Sequence, residues 1–135
     1  MAKVRSRFSR KSKYWLPKHV FMTAYHYCLN YPDWKAEHDL SVGLRSVHSE
    51  GGGGGTGDPT ANQALRLSDL GQKIMLIEDT VNFVAPEIAD YLLRYVTDED
   101  LTFDMIKAQG CPCERKMFYD RRRAFYYLLA NRLKL

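Results

Sequence analysis

The sequence predicts an all-α fold: a helical domain with a long central helix and a C-terminal helix-turn-helix. Three observations carry that expectation. Between residues 58 and 84, Leu67, Leu70, Ile74, Ile77, Val81 and Val84 recur at intervals of 3, 4, 3, 4 and 3, the spacing of one helix face. From Pro17 onward, Val20, Phe21, Ala24, Cys28 and Tyr31 fall at a helical period, with the proline suited to a first turn. Towards the C-terminus, short helical segments lead through a tight turn into a longer basic helix, the order of a helix-turn-helix.

At 135 residues and 45% apolar content the chain suffices for one hydrophobic core. Residues 1–13, "MAKVRSRFSRKSK", have no hydrophobic period and read as a basic N-terminal arm. An N-terminal helical segment spans 14–40; Pro32 in "NYPDW" is expected to interrupt it, leaving a short turn from Trp34 to about Leu40. Residues 41–57 contain five consecutive glycines and read as a flexible, natural, variable linker. In the remaining unit, 58–135, "DPT" is a start signal, with Asp58 as N-cap and Pro59 at the first helical position.

The helix that follows is about 27 residues, or roughly 40 Å, long. Its stripe either packs on the domain's own core or forms a homodimer seam through residues 60–85; both readings stand on the sequence. "PEIADYLLRYV" then directs Ile88, Leu92 and Val96 inward. Leu101, Phe103, Met105 and Ile106 are expected to be buried, with Gly110 ending that helix. In the final helix, from about Glu114 to Arg132, Phe118, Phe125, Leu128 and Leu129 form the inner stripe, with Arg121 and Arg132 at its edge. Arg115, Lys116, Tyr119, Arg122, Arg123 and Tyr126 spread over the other side.

The net charge of +4 conceals an asymmetry. Residues 1–18 carry seven Lys/Arg and no acid, residues 19–106 carry five against 14 Asp/Glu, and residues 107–135 carry eight against two. Two basic ends suit a polyanion, and the acidic middle repels one. A guanidinium can make paired contacts to phosphate or to the O6/N7 edge of guanine. Arg115, Lys116, Tyr119, Arg122 and Arg123 are therefore the expected contacts to double-stranded DNA, and the N-terminal arm adds phosphate or minor-groove contacts. The competing reading of "DRRR" is a solvated face with Asp120 paired to Arg123.

Catalytic residues, cofactors and metals are not expected. The chain has no P-loop, G-x-S-x-G, H-E-x-x-H or G-x-G-x-x-G. Asp98, Glu99 and Asp100 read as helix-start acids. Cys111 and Cys113, with His19, His26, His38 or His48, lack zinc spacing. A single proline between two cysteines is poor disulfide geometry, and the odd count of three cysteines suits a reducing, cytoplasmic setting. No run of about 18 apolar residues is present, so no membrane span is expected. A basic N-terminus without an apolar core or cleavage site predicts no secretory signal.

Three stretches, "GCPCERKMFYDRRRAFYYLL", "KHVFMTAYHYCLNYPDW" and "DPTANQALRLSDLGQKIMLIED", resemble a family of small phage and prophage proteins of Gram-positive bacteria. The resemblance covers most of residues 14–132. These proteins are similar to phage late-gene transcriptional regulators of the ArpU and RinA type, whose C-terminal part resembles sigma-factor region 4. The resemblance implies a helix-turn-helix transcriptional regulator in a bacterial host, with Arg121, Arg122 and Arg123 in the matched motif. The chain departs at Cys111, where the family pattern has an aliphatic residue. The alternatives are a DNA-packaging, small terminase-like or assembly protein that oligomerises through the central helix, and an interaction protein that binds host RNA polymerase as a sigma-like module can.

Overall fold

The computed structural model describes residues 13–48 and 57–135, with side chains over 13–43 and 61–135. Among these the fold is all-helical: α1 (Lys18–Leu29), α2 (Tyr31–His48), α3 (Gly57–Val84), a 3-10 turn (Pro86–Ile88), α4 (Ala89–Val96), α5 (Phe103–Ala108) and α6 (Arg115–Arg132). Phe21 and Tyr25 of α1, Ile77 and Val81 of α3, Leu92 and Tyr95 of α4, and Phe118, Phe125 and Leu129 of α6 meet in one core.

Pro32 does not stop the chain. Only Asn30 separates α1 from α2, and Pro32 sits in the first turn of α2, where a backbone N–H has no helical partner to lose. Residues 41–48, expected in the linker, therefore continue α2. The helix is 18 residues long because it lies antiparallel along α3. Tyr31 Oη donates to Glu78 Oε2 (2.5 Å), Lys73 Nζ lies 5.1 Å from the Trp34 ring centre, and Arg66 Nε donates to Glu37 Oε1 (2.6 Å). Those contacts are mostly polar, so no hydrophobic period betrays the helix. The pentaglycine and the basic arm up to residue 12 lie outside the described residues. The capping of α3 by Asp58 does too, since α3 begins at Gly57 and the Asp58 side chain is not described.

The central stripe is consumed within the chain. Leu70, Ile74, Ile77 and Val81 are buried, so of the two readings the intrachain one holds for these residues, and they offer no seam to a second copy. Where α3 meets α6, the Thr80 hydroxyl donates to the Leu76 carbonyl (2.6 Å) and accepts from Arg132 Nη1 (3.0 Å). Arg121 Nη1 donates to the Val84 carbonyl (3.3 Å) and its Nη2 pairs with Glu87 (2.8 Å). One of the C-terminal carbonyls that α3 cannot satisfy internally thereby gains a donor.

Ile88, which ends the 3-10 turn, and Leu92 and Val96 of α4 are all buried, as the spacing requires. Among the described residues no helix is long and apolar enough to cross a membrane.

Candidate nucleic-acid interface

The start of α6 is positioned by α5 and by the segment between them. Thr102 caps α5, its hydroxyl accepting from Met105 N (3.3 Å). Leu101, Phe103 and Ile106 anchor it. Met105 was expected in the core, yet it is half exposed. It lies between Phe103 and Ile106 on a six-residue helix that the body covers on one side only.

Gly110 ends α5 with φ of +106°. Cys111 N bonds Ile106 O (3.3 Å) and Gly110 N bonds Lys107 O (3.0 Å), the paired closure of a Schellman motif. An alanine at 110 would adopt a backbone conformation that L-residues avoid and place its Cβ 3.3 Å from Tyr91 Oη. Gly110→Ala is expected to destabilise the protein by about 1–2 kcal/mol; an unchanged urea midpoint would contradict this.

Cys111 and Cys113 are buried beneath the connection, their sulfurs 3.5 Å apart, and neither is in a disulfide. Cys111 fills the small apolar position after the glycine. Cys113 adjoins the cap, which is Glu114. Burial first, then the bond to Cys111, pushes the Cys113 thiol up to about 11. Lys107 Nζ donates to Cys113 O (3.0 Å), bridging α5 to the entry of α6.

From this entry the four residues Glu114, Arg115, Lys116 and Met117 are all exposed, and Phe118 then enters the core. Phe118 meets Tyr95 edge-on at 4.9 Å and Phe103 at 5.2 Å. The α6 residues predicted to be inward, Phe118, Phe125 and Leu129, are all buried, whereas Leu128 is half-buried. The first turn of α6 thus stands clear of the body while the rest of the helix is held down.

The five expected DNA contacts separate into two groups. Arg115 Nη2 pairs with Asp104 Oδ1 of α5 (2.7 Å), its Cζ lies 5.0 Å from the Phe103 ring centre, and Nη1 is 3.5 Å from Tyr119 Oη. Lys116 is exposed, and Tyr119 is half-buried against Phe103 and Phe118. Arg123 Nη1 pairs with Asp120 (2.7 Å) one turn earlier, as the competing reading of "DRRR" expected. These ion pairs are exposed or half-exposed, and such pairs contribute roughly 0–1 kcal/mol, so a polyanion can displace them.

Arg122 does not belong with them. It is 2% exposed, with its Cζ 5.8 Å from the Phe21 ring centre, 5.7 Å from Tyr95 and 5.4 Å from Tyr126. Tyr126, also expected on the outer side, is buried, with Phe21 edge-on at 5.0 Å. Both corrections have one cause: α1 crosses α6 and covers a second side of it, which the apolar stripe alone does not reveal. Burial raises the Tyr95 phenol to about 12, with the Arg122 charge opposing that rise.

Tyr14 packs edge-on against Tyr127 of α6 at 5.7 Å. It lines an open cleft of about 360 Å³ with Glu114, Lys116, Met117, Asp120 and Arg121. The chain therefore enters the fold beside the exposed start of α6.

Asp104 and Phe103 were not foreseen as part of this surface. Asp104 and Arg115 are eleven positions apart across a turn, and neither helix period nor local charge spacing couples them. Among the described residues no three His, Cys, Asp or Glu side chains come together in a way that could hold a metal ion. The chain matches no protein-family model, no curated protein and no solved structure.

Proposed function

We propose that the chain is a sequence-specific DNA-binding transcriptional regulator whose helix-turn-helix is α5, the connection and α6. The observation that carries this reading is the exposed first turn of α6. Arg115 and Lys116 are exposed on that turn, and Tyr119 and Arg123 follow in the next two turns, half-buried at the edge of the core, so that the start of the helix is open for a major groove. Phosphate contacts would come from Lys116 and Arg123, and base-edge contacts from Arg115 and Tyr119.

The basic arm supports the same reading. Residues 1–12 hold Lys3, Arg5, Arg7, Arg10 and Lys11, and the chain that follows them reaches the fold at Tyr14, against α6. An arm that joins the fold there could add its charge to that of α6 on one duplex. The link to transcription rests on the family resemblance described above.

The test is fluorescence anisotropy of a labelled duplex, drawn from genomic fragments the protein selects, at several salt concentrations. Each phosphate neutralised steepens the fall of log K with log salt by about 0.9. The triple variant Arg115→Ala, Lys116→Ala, Arg123→Ala is expected to bind roughly a hundred-fold more weakly with a shallower slope. Its melting temperature should stay close to wild type, because none of the three side chains is in the core. Equal affinity and slope in wild type and variant would overturn the reading.

A further inference from the structure

We propose that Asp104 positions Arg115 to read a guanine, making the α5–α6 ion pair a determinant of sequence specificity. This inference rests on the DNA-binding reading above and adds to it the base recognised and the residue that enforces the choice.

Arg115 is 56% exposed and Asp104 81% exposed at their side chains. A pair so open to water contributes little to stability, and a long arginine side chain there would otherwise sample many rotamers. Its guanidinium is nonetheless restrained three ways: by the 2.7 Å bond from Nη2 to Asp104, by the Phe103 ring beneath Cζ at 5.0 Å, and by Tyr119 Oη at 3.5 Å from Nη1. The carboxylate fixes the rotation of the plane and the ring fixes its height. Phe103 cannot yield, since it is buried in the core at the start of α5.

Of the five N–H donors of a guanidinium, these contacts engage one on each terminal nitrogen. Nε–H and one N–H on each terminal nitrogen remain, enough for a two-pronged contact. Guanine presents two acceptors, O6 and N7, side by side in the major groove, and no other base does so. A fork already oriented loses less freedom on binding, so its preference for the matching base is sharper. Asp104 has an opposite effect on the rest of the duplex, because its charge repels phosphate.

These two effects separate experimentally. Wild type, Asp104→Asn, Arg115→Ala and Arg115→Lys are each used to select duplexes from a randomised library, and each is titrated against a scrambled duplex. Wild type is expected to show a position where guanine is preferred about 10-fold or more. Asp104→Asn is expected to reduce that preference to under about 3-fold, while its affinity for the scrambled duplex is unchanged or tighter. Arg115→Lys, which keeps the charge but not the fork, should reduce the guanine preference as far as Asp104→Asn does. Arg115→Ala should lose both the preference and the scrambled affinity.

Retention of the guanine preference in Asp104→Asn or Arg115→Lys would overturn the inference and leave the DNA reading intact. So would a loss of scrambled affinity in Asp104→Asn, or a drop in its melting temperature that points to a merely structural role. Failure of the wild type to bind any duplex would remove the DNA reading and the inference together.

Discussion

Arg122→Ala is expected to destabilise the protein by about 3–5 kcal/mol, lowering its melting temperature by roughly 10–15 °C. The side chain fills the space between α1, α4 and α6, where the rings of Phe21, Tyr95 and Tyr126 surround its guanidinium. Truncation leaves a cavity whose walls are aromatic and cannot collapse far. It also removes an attraction between cation and ring faces that is worth about 2 kcal/mol or more in a site shielded from water. Lysine is a poor replacement, because a compact ammonium on a thinner stem cannot present a flat face to several rings. Methionine refills part of the volume without the charge, so the difference between Arg122→Met and Arg122→Ala separates packing from electrostatics. Circular dichroism melts of the three variants make the comparison; an Arg122→Ala melt within about 2 °C of wild type would sink the assignment. Arg123→Ala, at the next residue but half-exposed, should shift the melt by less than about 2 °C. Adjacent arginines in one "RRR" run therefore differ in kind: one builds the core and its neighbour lies half-exposed at the surface.

The second large effect is alkaline unfolding. Tyr25, Tyr95 and Tyr126 are buried around Arg122. Burial is the first cause that raises each phenol above its ordinary value of 10.0, Tyr95 to about 12. The buried Cys28 thiol is raised from 9.0 by the same desolvation. Between the unfolded and the folded pKa, the unfolded chain has released these protons and the folded chain has kept them. The unfolded state then binds fewer protons, so stability falls as pH rises. The stability associated with the Tyr95 phenol is present below about pH 9 and is lost from pH 10.0 up to about 12, at about 1.4 kcal/mol per pH unit; Tyr25 and Tyr126 act in the same direction, and Cys28, ordinarily at 9.0, begins the decline earlier. The urea midpoint is expected to be flat from about pH 7 to 8, to begin falling near pH 9 and to fall steeply above about pH 10. Absorbance of tyrosinate should show two populations, exposed phenols titrating without structural change and buried ones ionising only as helicity is lost. Tyr95→Phe removes one titrating group and should make the fall shallower. Titration of all nine tyrosines near pH 10 with full retention of ellipticity would refute the burial on which this rests.

Around Arg122 lies the reason for one sequence-level error. The α6 stripe of Phe118, Phe125 and Leu129 is readable because those residues are apolar at helical spacing, and all three are buried. Arg122 and Tyr126 lie on the flank of that stripe, and residue type alone assigns a charged side chain and a tyrosine to solvent. Their burial depends on α1, about a hundred positions earlier, lying across α6 with Phe21 and Tyr25 against them. The same limit explains α2. Tyr31, Trp34, Glu37, His38 and Ser41 form a half-buried face at helical spacing, but only Trp34 is strongly apolar, and their partners lie on α3.

Taken by itself, the order of residues determined the all-helical class, the long central helix, the stop at Gly110, the inner stripe of α6 and the charge at both ends. Each of these is a local property, set by spacing along one segment or by the backbone freedom of one residue, so it is legible without a partner. Tertiary structure alone decided which side of α6 stays open, that the central stripe packs within the chain, and that Asp104 holds Arg115. Those outcomes depend on which distant helix covers which face, and burial by a remote segment leaves no mark in the periodicity of the segment it covers.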